Sequence, residues 1–500
     1  IKCLCARQVN HMARFNVNKN KNIIKPRHVG EVRKSQLITT FGIGSIVDFV
    51  HDTVIIGGVD DWDNFDKDPS WEERKLVNEN LQSITDAKYF LTPKTSSGNL
   101  YSSETQDIQA YIFPESLYCP VCKSIIKYTE LTKGNSKFNH LDSEGNECRG
   151  TLVASRFVLV CDNGHIEDFP YSWWVHRGHE CNGKDGKGGK PNPRIIMYNV
   201  GDRSDMESLQ IKCTECGEIR GMESILNIGV FGGDNWYHCK SNHPHIRSQY
   251  KHCDKMMVAK LRTSTSVYFP YNQAALLIPP WSQKAVELIE KEFEILEYMT
   301  GDKRREYIKN KILNKCKNTT IEKLLKAYDT IKQRRETGVC RNEIDVYNDE
   351  YELLCSENID DEDGKYSSHS VDIPKDFFDY FENIAVVDRL VVTMALRGFT
   401  RNKPYDNDDS LAPLSNEEKE WLPAVELTGE GIFFKFSKEK IEQWKKNIGN
   451  RYDELKNSYL NQENPAAKTP KFSEEYILLH TFAHFLLDKL LMNVVIVPPQ

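Results

Sequence analysis

Cys119-Pro120-Val121-Cys122 and Cys213-Thr214-Glu215-Cys216 decide how this chain is read. Two thiolates separated by two residues can reach one tetrahedral metal ion from a tight turn. Further thiols follow each pair: Cys148 and Cys161 after the first, Cys239 and Cys253 after the second. The spacing predicts two closed zinc sites, one of Cys119, Cys122, Cys148 and Cys161, the other of Cys213, Cys216, Cys239 and Cys253. In the first, His165 of Cys161-Asp162-Asn163-Gly164-His165 is an alternative to Cys161. Cys181 lies between the two sets and could complete either, or stand as a free loop thiol; His238, His243, His245 and His252 compete near the second set. Sites of four thiolates leave no position open for an activated water, so the expected role is support of the fold.

Composition agrees with metal rather than disulfides. Fourteen cysteines in 500 residues are too dilute for a disulfide scaffold. Residues 1–15 lack the apolar stretch of a signal peptide, and no run of about 18 apolar residues occurs. A cytoplasmic protein without membrane contact is therefore expected, and no small-molecule substrate is evident. The net charge of −7 excludes a globally basic nucleic-acid coat and leaves only local patches.

Outward from the cysteines, the chain reads as α+β and multidomain. It carries a zinc-ribbon-like cysteine-rich region, a charged helical insertion and a mixed α/β C-terminal domain. Residues 1–35 form a basic arm, 36–115 a β-rich region and 116–282 the zinc-binding domain. Residues 283–370 are the charged helical insertion with an acidic loop, and 371–500 an α+β domain. Within 302–336, twelve Lys/Arg face five Asp/Glu, whereas 343–363 holds ten acids. Lys19, Lys21, Lys25 and Arg27 of the arm, and Lys303, Arg304, Arg305, Lys309 and Lys311 of the insertion, are the candidate phosphate contacts. Leu37–Thr40 is predicted as a strand, 381–395 as a helix, and Trp173-Trp174 as aromatic cover over a small zinc core or as a base-stacking pair.

Catalytic patterns are scarce. Gly42, Gly44 and Ser45 precede no GxxxxGK, so a turn is expected there. His480 and His484 share one helix face, but Thr481 stands where a zinc protease has its general-base Glu. That pair is read as part of a core helix, with a metal-dependent nuclease as the alternative.

Several ordered segments then resemble a known family. They are Arg33–Phe49 (RKSQLITTFGIGSIVDF), Gly57–Trp62 (GGVDDW), Cys161–His176 and Val267–Ser282 (VYFPYNQAALLIPPWS). Further on come Val387–Arg401 (VDRLVVTMALRGFTR), Gly429–Phe434 (GEGIFF) and the helix Tyr476–Leu487. Together they resemble the DrmB family of the DISARM anti-phage defence system. The resemblance implies an accessory subunit without catalysis of its own, whose partner is a helicase-like ATPase (DrmA) and which meets DNA through that complex. It also implies a further cysteine-bearing segment beyond the helix with His480 and His484. A protein-only scaffold is the third reading.

Overall fold

A long antiparallel hairpin, Phe381–Thr400 against Trp421–Phe436, is the spine of the computed structural model. The structure describes residues 2–7, 27–63, 71–94, 108–131, 140–142, 144–177, 181, 194–201, 205–232, 237–249, 252–278, 284–315, 320–337, 343–356, 358–360, 365–460 and 473–493. The chain is α+β, as read from its sequence. Residues 381–395 are nevertheless strand, not helix. Val386, Val387, Val391 and Val392 are β-branched, and the segment has hydrogen-bonded neighbours on both edges, which a pleated surface favours. Strand Phe269–Leu276 pairs along its second half, and strand Ser367–Ser370 along its first. From the amino-terminal region, Tyr89–Leu91 pairs in parallel with Trp421–Pro423, and Lys75–Leu76 follows at the edge. Segments distant in sequence thus share one sheet.

A second sheet has the order Arg27–Val32, Lys2–Arg7, Ile108–Ile112, Thr53–Ile56, Ile46–Asp48. Leu37–Thr40 is a helical turn rather than a strand: the amides of Leu37 and Thr39 donate to Arg33 and Ser35 carbonyls. The turn plugs Leu37 and Ile38 into the core beneath the long hairpin, next to Leu396 and Phe399. Gly42–Ser45 is a turn, as expected, and it is crowded. Gly44 has φ +81°, and a Cβ there would lie 2.3 Å from the Phe399 ring.

The cysteine-rich region is built on a six-stranded antiparallel sheet, Val153–Ala154, Ser116–Tyr118, Ser124–Lys127, Ile195–Asn199, Leu209–Cys213 and Ile219–Gly221. A three-stranded sheet, Ile166–Asp168, Phe157–Val160 and Val258–Leu261, lies beside it. Trp173 and Trp174 are aromatic cover: both pack on Phe231, and the Trp174 indole N–H donates to the Gly221 carbonyl at 3.1 Å. Asp168 is half-buried and accepts from the Glu115 and Ser116 amides, clipping the two sheets together. Burial pushes its carboxyl up to about 7.

The insertion has its own core. Helices Lys284–Lys291, Phe293–Glu297, Gly301–Tyr307 and Ile321–Thr337 enclose Ile289, Phe293, Leu296, Ile308, Ile312, Leu324, Tyr328 and Ile331. The acidic run is not all loop. Glu343–Leu354 is a helix that buries Val346 and offers Glu350 to the Leu276 amide at 2.7 Å. Among the described residues, no helix is long and apolar enough to cross a membrane.

Candidate metal centres

Among the described residues, three four-residue clusters emerge where two were expected, each of three cysteines and one histidine. They are Cys119, Cys122, His140 and Cys148; Cys161, His165, Cys239 and Cys253; and His176, Cys181, Cys213 and Cys216. Within each, the ligand atoms lie within 4.8 Å of one another, and these cysteines are all free thiols.

The first cluster forms at a hairpin. Cys119 and Cys122 occupy the turn between strands Ser116–Tyr118 and Ser124–Lys127. The chain can fold back because Lys123 adopts φ +63° and its amide returns to the Cys119 carbonyl at 2.8 Å. Opposite, a short ladder pairs His140 with Cys148. This brings His140 Nε2 to 3.3 Å from Cys122 Sγ and Cys148 Sγ to 3.8 Å from Cys119 Sγ. Burial lowers the His140 pKa, which favours the neutral ring a metal requires. The predicted fourth member, Cys161, is not in this cluster. It sits on a separate hairpin, and His140 takes that corner.

The third cluster repeats the same turn. Cys213 and Cys216 flank a knuckle closed by Gly217 at φ +81°, whose amide donates to the Cys213 carbonyl at 3.0 Å. The helix Tyr171–His176 points His176 at it, with Nε2 3.3 Å from Cys216 Sγ. Nδ1 lies 2.7 Å from the Ser172 carbonyl, a bond that places the proton on Nδ1 and frees Nε2 as a ligand. Cys181 completes the set, its Sγ 3.7 Å from Cys213 Sγ. The expected set of Cys213, Cys216, Cys239 and Cys253 is therefore divided, because Cys239 and Cys253 belong elsewhere.

They belong to the central cluster, whose four residues are all buried. The turn Cys161–His165 between strands Phe157–Val160 and Ile166–Asp168 supplies two of them, with Gly164 at φ +74°. His165 Nδ1 is 3.2 Å from Cys161 Sγ and 3.5 Å from Cys239 Sγ; the two sulfurs are 3.9 Å apart. The Cys239 thiol donates to Cys161 and pulls its pKa down to about 4, while Cys239 is pushed up in return.

This turn is the point where the molecule's parts meet. Asn402 and Lys403, just past the strand Phe381–Thr400, bind the Asp162 carboxylate at 2.7 and 2.8 Å. Arg401 donates to the carbonyls of Gly164, Val267 and Gly44. His165 packs on His243 and His243 on His245, whose Nε2 bonds the Pro413 carbonyl at 2.8 Å. Gly58 and Val59 amides bond the His245 and Leu414 carbonyls. Five of the seven segments quoted from the sequence contribute residues to this junction.

The remaining candidates are dispersed. His480 and His484 lie on the helix Glu474–Asn493 with ring centroids 4.5 Å apart, but both are exposed, not core. Phe482 docks that helix instead, onto Phe381, Phe434 and Phe436. Among the described residues, no third ligand joins the pair. Lys19, Lys21 and Lys25 lie outside the described residues, as does the Arg27 side chain; the Arg27 backbone opens a strand. Lys303, Lys309 and Lys311 are exposed on one stretch of the insertion. Arg304 is a fastener rather than a free cation. It donates to the Leu296 and Met299 carbonyls and stacks 4.0 Å over Tyr328. Arg305 pairs with Glu322 at 2.8 Å on the surface.

Comparison with known proteins places these features in context. Residues 33–269, which hold the three clusters, match a family described as a domain of unknown function, DUF8724. A curated protein of Bacillus paralicheniformis, described as DISARM protein DrmB, is 24% identical over 475 residues. The alignment covers 89% of this chain and 78% of the Bacillus protein. The chain is thus a relative of DrmB, and similarity of that extent, with the ordered segments above, supports its membership of the DrmB family.

Proposed function

We propose that the three clusters are structural zinc centres and that the chain serves anti-phage defence as a non-catalytic accessory subunit. Zinc bound to thiolates at about 2.3 Å in a tetrahedron holds its sulfurs about 3.8 Å apart. The sulfur pairs here are separated by 3.8, 3.9 and 3.7 Å, far outside a disulfide and at tetrahedral spacing. That spacing is the observation that carries the reading. Three thiolates with one imidazole suit zinc, and four protein ligands close the shell, leaving none of the open positions that hydrolysis needs.

The defence role rests on the similarity to the DISARM protein DrmB. In this reading, nucleotide hydrolysis resides in a helicase-like ATPase partner, and this chain helps that partner hold foreign DNA. Lys303, Lys309 and Lys311 are the phosphate contacts best supported, being exposed along one helical stretch. Arg305 can join them, because an ion pair as exposed as Arg305–Glu322 holds the guanidinium only weakly. Arg304 is left out, since its guanidinium is engaged within the insertion.

Charge reversal tests this. A Lys303→Glu, Lys309→Glu, Lys311→Glu chain, assayed with its ATPase on labelled duplex DNA, should bind roughly tenfold or more weakly at low salt. The slope of log K against log salt should become shallower by about 3. Unchanged affinity and slope would remove DNA contact from the insertion and favour a scaffold that touches protein only.

A further inference from the structure

Arg401 is fully buried, and its guanidinium is spent on carbonyls: Nε to Gly164 at 3.0 Å, Nη1 to Val267 at 2.6 Å and Nη2 to Gly44 at 2.7 Å. Its remaining face lies 4.7 Å from the Phe399 ring. A buried cation is costly unless paired, yet among the described residues no carboxylate bonds it. The Asp162 carboxylate is taken up by Asn402 and Lys403. His243 and His245 are buried and the Tyr268 ring is half-buried, and none of the three carries a carboxylate. Burial lowers the Arg401 pKa to about 9, opposed by Tyr268 and then by Cys161, one of the cluster thiols, so the guanidinium remains charged at neutral pH.

The central cluster has the reciprocal need. A divalent cation held by three thiolates and a neutral imidazole leaves one net negative charge. Cys122 in the first cluster, and Cys181 and Cys216 in the third, are only half-buried, so water can screen the charge there. All four residues of the central cluster are buried. Its charge must be met from within the protein, and Arg401 is bonded to Gly164, inside the turn that carries both Cys161 and His165.

We infer that Arg401 is the counter-charge of the metal–thiolate centre at Cys161, His165, Cys239 and Cys253, and so a positioning residue that couples metal retention to the docking of the Phe381–Thr400 strand. This rests on the zinc reading of the clusters. It sets one centre apart from the other two: the first and third are completed within the cysteine-rich region, whereas the central one needs a residue more than 130 positions beyond its last ligand.

Two variants of the full chain separate charge from hydrogen bonding, read by metal content after dialysis and by release to a chromogenic chelator. Arg401→Gln, neutral but still a donor, should drop from three metal ions to two, or release one equivalent at least about tenfold faster. Arg401→Lys keeps the charge but not the three-way fork, so it should retain three ions while melting at a lower temperature. Wild-type content and release in Arg401→Gln would overturn the inference and leave the arginine as a hydrogen-bond clamp only. Should Arg401→Gln not accumulate as a folded chain, Arg401→Lys alone decides, and loss of one ion from it would be equally contrary. A wild-type chain without metal would overturn the zinc reading itself, an outcome distinct from a metal-loaded Arg401→Gln.

Discussion

Cys239→Ser should abolish the cooperative melting of the chain, whereas Cys122→Ser should leave a clear transition. That contrast follows from what each cluster holds. Structural zinc contributes an apparent 10–16 kcal/mol in small domains, about the whole stability of an ordinary fold at 5–15 kcal/mol. Loss of a ligand from the central cluster releases the Cys161–His165 turn, and with it the carbonyl of Gly164 and the carboxylate of Asp162 that anchor Arg401, Asn402 and Lys403. Strand Phe157–Val160, which enters that turn, also pairs with Val258–Leu261 and packs in the core with Phe169, Trp174 and Ile211. Damage there reaches the long hairpin and the cysteine-rich core together. Cys122 is half-buried and faces a short ladder, His140–Leu141 against Glu147–Cys148. Its loss should free that ladder while the sheet behind it survives. Circular dichroism melting and limited proteolysis distinguish the two; equal melting of both variants would deny the central cluster its special place.

The second large effect is one of packing. Phe399→Ala should cost about 3–5 kcal/mol while leaving metal content unchanged. Phe399 is fully buried, with its ring centroid 5.1 Å from Tyr268 and 5.2 Å from His245, and the Arg401 guanidinium over its face. It also fills the space left by Gly44, whose missing Cβ would collide with the ring. No neighbour can collapse into the void, because Gly44 has no side chain and Tyr268 and His245 are held on other elements, so the cavity term should be near its upper range. Calorimetry of the metal-loaded chain measures this. Simultaneous loss of one metal ion would show that the aromatic packing, and not only the arginine charge, holds the central centre.

The two Cys-x-x-Cys knuckles were legible because their chemistry is local: a turn with a left-handed residue after the second cysteine suffices. Their remaining partners were not. Cys148 and Cys161 are equally plausible followers of Cys119 and Cys122 in sequence. Only the pairing of His140 with Cys148 brings in the imidazole and excludes Cys161. His176 was similarly masked, since it follows two tryptophans and reads as part of an aromatic segment, while its ligand role depends on how the helix Tyr171–His176 docks. Eight cysteines that satisfied two sites left no reason to look for a third, although Cys181 stood between the sets. Residues 381–395 read as a helix because apolar residues there support either period, and the neighbours that settle it as strand, Phe269–Leu276 and Trp421–Phe436, are long-range. The role of Arg401 was out of reach from sequence for the same reason: its three acceptors are 134 to 357 residues away.

Metal stoichiometry of the full chain tests the account most directly. Native mass spectrometry of protein purified without chelator, with elemental analysis to name the metal, should give three zinc ions per chain. Cys181→Ser and Arg401→Gln should each reduce that to two. Two ions in the wild-type chain, or three that are indifferent to Cys181, would contradict it.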